Sequence, residues 1–437
     1  MKCYRLKCVL ALVVSLLLLF VGLPAHAEDE DITDAGDYLQ IILPTIAGVS
    51  TLFAGNPEGG LVDKEGFYQF SKSLGASLAT MGVGKGISGK LRPDASDRSS
   101  HPSGHTTAAF AGAGFIDQRY GHAWGIPSLL AAGFVGYSRV QADKHFADDV
   151  TAGASIGMMY NWLFVTPQSE SNSFSMMPLM VDGGYGLAFN ITDGFKKSDE
   201  AEPTFLRSPK FRYDFIFGPA YLNKNEIKSS SDNGTSFNLA NFDKIDDPTS
   251  TAAIDIGYFM DDRNSFSLYF SPYESRDQGQ FDTPVSFDGK LFPANTTINS
   301  DWVFYELRVG WQHNLTPDSP WDLKLGGGLS YQYLKTSLET ADDSVSAEVI
   351  ENLFLPLVSA KVSYHFTPRF SASIQAEGMY LSYESSLEAG ASLNYRLTEH
   401  WDITAGYTYW QRNIDTSDIK NDAVYNVPFI AVAFSWL

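Results

Sequence analysis

The first part of the chain has the hydrophobic pattern of packed helices. From about residue 38 to residue 167, apolar and small residues cluster in stretches such as 106–115, 126–140 and 150–165. Clusters of this kind favour helices, and their Ser, Ala and Gly content indicates that the helices pack closely. Glycine or a polar residue interrupts each stretch well short of the ~20 residues of a bilayer span. We therefore expect a helical domain without membrane-spanning helices.

From about residue 210 to the end, apolar and polar residues alternate. In the segment that begins at Trp302, one face is apolar and the other polar: Val303, Tyr305, Leu307, Val309 and Trp311 against Glu306, Arg308, Gly310 and Gln312. Segments near residues 321–333, 370–380 and 401–409 repeat this alternation. A period of two predicts strands, and segments of about ten residues with aromatic ends are typical of a transmembrane β-barrel. The charged faces would point into the lumen.

The alternating segments predict an antiparallel barrel of about ten strands. The strands are expected near residues 210–222, 250–260, 264–273, 302–315, 321–335, 352–366, 369–384, 387–397, 400–412 and 425–436. The short connections are expected at 261–264, 316–320, 367–368 and 398–400, and the long polar loops at 274–300, 337–347 and 413–423. Outer-membrane barrels have this asymmetry of short turns and long loops. A candidate hairpin at 176–191 would raise the number of strands to twelve.

The N-terminus has the features of a secretory signal peptide. Lys2, Arg5 and Lys7 precede an apolar run over 9–21, and the small residues of 25–27 supply a cleavage site. An antiparallel sandwich would show the same alternation, but export, aromatic outer faces and loop asymmetry favour the barrel. The predicted organisation is a signal peptide at 1–27, a helical domain at 28–167, a linker with the candidate hairpin at 168–205 and the barrel at 206–437.

Composition excludes several classes of function. Both cysteines, Cys3 and Cys8, lie within the predicted signal peptide, so the mature chain would have no disulfide, thiolate metal site or cysteine nucleophile. The formal net charge of −20 provides no basic surface for nucleic acid.

Three short segments supply the residue types that bind and transfer phosphate. They are Lys85 with Arg92-Pro93, then Pro102-Ser103-Gly104-His105, and then Ser138-Arg139 with His145 and Asp149. Arginine presents a planar fork to phosphate, and lysine adds a compact charge. A serine hydroxyl, a glycine that lets its backbone N–H approach an oxyanion, and the start of a helix all favour a bound anion.

The two histidines suit two different tasks. His145 and Asp149 are four residues apart, so a helix would place them on one face. A carboxylate at one ring nitrogen leaves the other nitrogen free as a nucleophile. His105 is then available as a general acid for the leaving oxygen.

Each segment alone has an ordinary structural explanation, such as a surface cation, a helix cap or a surface ion pair. We expect the other polar residues nearby to lie in loops or at the rim: His101, His122, Asp94, Asp97, Asp143 and Asp148. Asp148 competes with Asp149 as the partner of His145, and the spacing favours Asp149.

In this order, the three segments resemble the motifs of the superfamily that contains type 2 phosphatidic acid phosphatases, bacterial class A acid phosphatases and vanadium haloperoxidases. All three motifs match without a substitution, over roughly residues 38–167. The resemblance implies a helical bundle in which a phosphohistidine forms on His145, oriented by Asp149, while His105 protonates the leaving group. It implies no metal or other cofactor and a phosphoryl group bound by Lys85, Arg92, Ser103, Gly104 and Arg139.

Three functional hypotheses follow. The first is a phosphomonoester hydrolase in the periplasm, attached to an outer-membrane barrel, that acts on a lipid phosphate, a lipopolysaccharide phosphate or a soluble ester. The second is a vanadium-dependent haloperoxidase, in which His145 would be the vanadium ligand. In the third, the barrel is a pore or adhesin and the phosphatase domain is an accessory.

Overall fold

The computed structural model describes residues 29–55, 60, 62–168, 173–181, 184–192, 209–230, 234–244, 248–317, 319–381 and 384–436. The predicted signal peptide lies outside these residues, and so does half of the predicted linker. The chain divides into two units, Met1–Glu200 and Ala201–Leu437, which are described separately.

The first unit is helical, as the sequence predicts. Its helices are α1 (Asp29–Phe53), α2 (Lys64–Ser88), α3 (Gly104–Tyr120), α4 (His122–Gln141) and α5 (Ala147–Phe164). Across the described residues, no helix is long and apolar enough to cross a membrane. The predicted hairpin is present as antiparallel strands β1 (Ser173–Val181) and β2 (Gly184–Thr192).

Small residues allow the helices around α3 to approach one another closely. A Cβ on Gly112 of α3 would lie 2.6 Å from the backbone nitrogen of Pro44 on α1. A Cβ on Gly157 of α5 would lie 2.8 Å from the backbone nitrogen of Ala111 on α3. Contacts this short leave no room for a side chain, so glycine is needed at both positions. The packing brings α1 and α5 against α3, which carries part of the candidate site at its first turn.

The second unit is an antiparallel barrel. Its strands are β3 (Phe211–Ser229), β4 (Phe237–Asn238), β5 (Asp243–Lys244), β6 (Thr249–Phe259), β7 (Asn264–Gln280), β8 (Val285–Phe287), β9 (Lys290–Phe292), β10 (Thr297–Asn314), β11 (Trp321–Thr340), β12 (Ser346–His365), β13 (Phe370–Leu381), β14 (Glu384–Arg396), β15 (Trp401–Asp415) and β16 (Ile419–Trp436). Ten of these described strands are long. They pair with their neighbours from β10 through β16, and then through β3, β6 and β7 back to β10.

Closure of the barrel decides two open points. The pairing of β7 with β10 joins the two ends of the sheet, so the sandwich alternative is wrong. The hairpin of β1 and β2 forms a sheet of its own, so in the described residues the barrel has ten strands rather than twelve.

The predicted long loops are mostly continuations of strands, so their predicted bounds are wrong. Strand β7 runs to Gln280 before β10 begins at Thr297, and β11 runs to Thr340 before β12 begins at Ser346. The third predicted loop is reduced to the three residues between Asp415 and Ile419. The ladder continues because each strand offers its neighbour unpaired backbone groups, whatever the polarity of the side chains.

The polar face of the alternation points into the lumen, as predicted. Arg308 on β10 contacts Glu377 on β13 at 2.8 Å and Glu388 on β14 at 2.6 Å. These strands are not neighbours, so the contacts cross the lumen. The outer surface carries exposed apolar side chains, among them Val309, Leu329, Val358, Ile374 and Ile430. Apolar outside and polar inside is the arrangement of a barrel that stands in a bilayer.

Candidate active site

The three sequence segments meet at the N-terminal ends of α3 and α5. The backbone N–H of Ser103 donates to the carbonyl of Asp149 at 2.9 Å, which joins the two helix starts. Lys85, in the last turn of α2, and Arg92, in the loop that follows, both contact Ser99: Lys85 through the carbonyl and Arg92 through the hydroxyl. The predicted residues are therefore brought together in one region of the helical unit.

His145 is buried between Arg92 and Asp149. Its Nε2 lies 3.4 Å from a guanidinium nitrogen of Arg92, and its Nδ1 lies 3.6 Å from Oδ2 of Asp149. The second distance is longer than a hydrogen bond, as often happens in catalytic sites without substrate. Burial lowers the pKa of His145, and the charge of Asp149 only partly opposes this effect. A neutral ring with its proton at Nδ1 would direct the Nε2 lone pair towards the cations.

Asp149 is held by donors on every side. Its Oδ2 accepts from the backbone N–H of Phe146 at 2.9 Å and from the hydroxyl of Ser100. Its Oδ1 lies 3.2 Å from both His101 Nδ1 and Lys90 Nζ. Burial alone would raise the pKa of Asp149, but the Lys90 charge, the contact with His101 and the proximity of His145 hold it well below its usual value. Asp149 therefore remains a carboxylate that can orient His145.

His105 and Arg139 share a carboxylate that the sequence analysis did not identify. Oδ1 of Asp37, on α1, lies 3.1 Å from Nε2 of His105 and accepts from Arg139 at 2.6 Å. Arg139 also donates to the carbonyl of Thr33 at 2.8 Å. Burial and the positive charge of Arg139 lower the pKa of His105 to about 4, although Asp37 acts in the opposite direction. Asp37 lies far from the three segments in sequence, and no spacing pattern marked it.

Ser103 and Gly104 form the start of α3. The Ser103 hydroxyl accepts from the Thr106 backbone N–H at 3.4 Å, which makes Ser103 the N-cap. A Cβ on Gly104 would meet only the Met81 and Lys85 side chains, at ordinary distances of 3.5 Å or more. The protein itself therefore leaves room for a Cβ at position 104.

The expectation of a loop or rim position is wrong for Asp148, which is buried in α5. His101 lies in the loop before α3, as expected, but it is also buried. Lys90 donates to both oxygens of Asp148, at 2.7 and 2.8 Å, and all of these side chains are buried. Burial would lower the pKa of His101, but hydrogen bonds to Asp148 and Asp149 raise it. The side-chain spacing of His101, Asp148 and Asp149 would suit a metal ion. The Lys90 ammonium lies between the two carboxylates and neutralises part of their charge.

Asp94, Asp97 and Asp143 lie in loops, as expected, whereas His122 is the first residue of α4. Asp94 and Asp97 are in the loop after α2, where they pair with Lys144 at 2.6 Å and with Arg92 at 2.9 Å. Asp143 follows α4 at an exposed position with a φ of 51°. Asp97 also orients Arg92, so this surface residue contributes to the geometry of the site.

The helical unit gathers three cations and two histidines around the N-terminal ends of α3 and α5: Lys85, Arg92, Arg139, His105 and His145. This arrangement is typical of the class of proteins that bind a phosphoryl group. The model of the PAP2 superfamily matches residues 66–172. The chain belongs to the PAP2 superfamily.

The relatives include two lipid A phosphatases. The chain is 30% identical over 140 residues to a lipid A 4'-phosphatase of Helicobacter pylori, which covers 31% of this chain and 69% of that protein. It is 37% identical over 94 residues to a lipid A 1-phosphatase of Porphyromonas gingivalis, which covers 20% of this chain and only 21% of that protein. Among solved structures, the chain is similar to the outer membrane protease OmpT from Escherichia coli. The match covers 52% of this chain and 96% of that protein, with 8% identity and a TM-score of 0.36.

Proposed function

We propose that the protein is a phosphomonoester hydrolase that acts through a phosphohistidine on His145, with its helical unit in the periplasm and its barrel in the outer membrane. The observation that carries this proposal is the position of His145, whose Nε2 faces Arg92 while Nδ1 faces Asp149. Export by the predicted signal peptide and the apolar outer surface of the barrel support the location.

The chemistry follows from these positions. Lys85, Arg92 and Arg139 hold the phosphoryl oxygens together with the first turn of α3. His145 Nε2 attacks phosphorus, and the bond to the leaving oxygen breaks as that oxygen takes a proton from His105. Water then attacks the phosphohistidine and gives its proton to His105, which releases inorganic phosphate and restores His145.

The substrate we propose is a membrane lipid that carries a phosphate monoester. The two relatives named above act on lipid A, which is a lipid of this class, and the barrel keeps the enzyme at a membrane. A panel of lipid A, phosphatidate and a soluble ester separates lipid specificity from general phosphatase activity.

A direct test uses the full chain, p-nitrophenyl phosphate and a rapid quench in alkali, where phosphohistidine survives. The wild type is expected to release phosphate and to carry label from a phosphorus-labelled substrate. His145→Ala should lose about 10⁴-fold or more in kcat, together with the label. Lys144→Ala is the matched control, because its side chain is at the surface beside His145 and pairs with Asp94. Normal turnover in His145→Ala would refute the mechanism.

For the barrel we propose an anchoring role. Arg308 and its three glutamates cross the lumen, and a second buried pair, Arg412 with Glu384 at 2.8 Å, also projects into it. Side chains that cross the lumen obstruct ion flow, so planar bilayers with the purified protein should show no steady conductance. Stable open channels would favour the pore hypothesis instead.

A further inference from the structure

Two helices of the first unit present apolar side chains to the outside. On α1, Tyr38, Ile41 and Val49 are exposed, and Ile41 has 63% of its surface accessible. On α2, Leu78, Val83 and Ile87 are exposed, and Ile87 reaches 82%. We call these six residues the apolar face. Exposed apolar side chains gathered on two helices mark a site of interaction.

Lys85, which lies next to Gly104, is the one charged residue along the segments 38–49 and 78–87 that carry the apolar face. The sequence has no Asp, Glu, Lys or Arg between Tyr38 and Phe53 on α1, or between Ser73 and Gly84 on α2. The charged residues of α1 are confined to its first turns, which end at Asp37. A surface for a hydrophilic partner would carry charged or polar groups here, whereas helices that lie in a lipid interface bury an apolar face in it.

Both helices that carry the apolar face also contact the candidate active site. On one side, Asp37 contacts His105 and is followed directly by Tyr38. On the other side, Gly104 faces Met81 and Lys85 of α2, between Leu78 and Ile87 along the helix. The first turn of α3 therefore lies between α1 and α2, the two helices that carry the apolar face.

We infer that the apolar face docks onto the lipid bilayer and presents the site to a phosphate that is still attached to a membrane lipid. This rests on the proposed function and goes beyond it by assigning a surface to substrate delivery. The barrel of the same chain has the apolar outer surface of a bilayer protein, so the helical unit is tethered to a membrane. A lipid phosphate cannot leave the interface without exposing its acyl chains to water, so the enzyme must meet it there.

The docking can be tested without catalysis, because Cys3 and Cys8 are the only cysteines. Both are replaced by serine in the full chain, and two variants are then made, Ile41→Cys and Ile87→Cys. Each carries a spin label on its single cysteine and is placed in phosphatidylcholine vesicles. Both labels should be accessible to oxygen and shielded from a water-soluble nickel complex. Leu130→Cys on α4 is the matched control, since Leu130 is a 44% exposed leucine outside the apolar face and should show the aqueous pattern.

Two results would overturn the docking. An aqueous pattern at Ile41 and Ile87 would show that the face does not contact lipid. Shielding from both reagents would show that protein covers it, whether another segment, a partner or a second copy. Labels in lipid on a protein without phosphatase activity would refute the proposed function and leave the docking intact.

A kinetic experiment tests delivery. The double variant Val83→Ser, Ile87→Ser should lose about tenfold or more in kcat/KM for phosphatidate in vesicles, because two apolar side chains no longer enter the lipid. Hydrolysis of p-nitrophenyl phosphate should stay unchanged, since neither residue contacts the site. Leu163→Ser on α5, also an exposed leucine, should change neither activity. Equal losses on both substrates, or none, would contradict delivery by this face.

Discussion

The ammonium nitrogen of Lys90 lies 2.7 Å from an oxygen of Asp148, and both side chains are almost completely buried. The same nitrogen is 3.2 Å from Asp149, so one cation serves two carboxylates behind the proposed nucleophile. Removal of a buried ion partner leaves an uncompensated charge, which typically costs about 3–5 kcal/mol. Lys90→Met should therefore lower the free energy of unfolding of the helical unit by about this amount, measured by circular dichroism at 222 nm.

Lys144→Met provides the comparison for Lys90→Met. Lys144 pairs with Asp94 at 2.6 Å at the surface, where an ion pair contributes about 0–1 kcal/mol. A similar loss of stability in the two variants would contradict the structural role assigned to Lys90.

The pH dependence should differ between substrates with good and poor leaving groups. Burial and Arg139 lower the pKa of His105 to about 4, so the free enzyme loses the protonated acid as the pH rises above that value. An alkyl phosphate needs this proton, and its kcat/KM should fall about tenfold per pH unit relative to that of p-nitrophenyl phosphate, whose leaving group departs unprotonated. The ratio of the two values is the quantity to measure, because the ionisation of His145 is common to both substrates and cancels in it.

Asp37→Asn tests the role of His105 as the general acid by changing the pKa of His105. Asp37 raises the pKa of His105, so its neutral replacement should move the fall in the ratio to lower pH. A ratio that does not depend on pH would exclude His105 as the general acid.

Close packing of α1 on α3 predicts a strong effect of a single methyl group. Gly112→Ala would place a Cβ 2.6 Å from the backbone of Pro44, which cannot move without shifting α1. Such overpacking typically costs about 1–3 kcal/mol, measured as a lower Tm for the loss of helical signal. Gly75→Ala on α2 is the control, because a Cβ there meets nothing within 4 Å. This control should gain about 0.5–1 kcal/mol from lower chain entropy, and a loss in it would contradict the packing.

The charge cluster in the lumen should determine how well the barrel resists heat. Arg308→Met leaves Glu306, Glu377 and Glu388 without their cation, and the expected cost is about 3–5 kcal/mol. The measurement is the temperature at which the folded band on an unheated gel converts to the unfolded one. Lys335→Met, which breaks a more exposed pair with Glu348 at 2.8 Å, should shift that temperature little. Equal shifts would mean that the cluster does not stabilise the barrel.

The sequence predicted those parts of the strands that have one apolar face and one polar face. Val303 to Trp311 alternates because one face meets lipid and the other meets the lumen, and the strand is present as part of β10. The end of β7 was missed because it is polar on both faces, with Ser275 and Asp277 on one face and Glu274, Arg276 and Gln278 on the other. Their pairing with Val303, Asp301 and Asn299 of β10 depends on the neighbouring strand, which a local pattern does not record.

The residues of the candidate active site were likewise predicted only in part from the sequence. The spacing of four residues predicted that His145 and Asp149 lie on one face of a helix. The two side chains do lie close together, but α5 begins at Ala147, so His145 precedes the helix and reaches Asp149 from the loop. The family motifs supplied the cations and His105. Asp37, Lys90 and His101 came only from the folded chain: Asp37 meets Arg139 across 102 residues, and Lys90 meets Asp148 across 58. The sequence by itself therefore determined the local elements and the motif residues. Tertiary packing decided which charges are buried together, because the cost of burying a charge depends on neighbours from other elements.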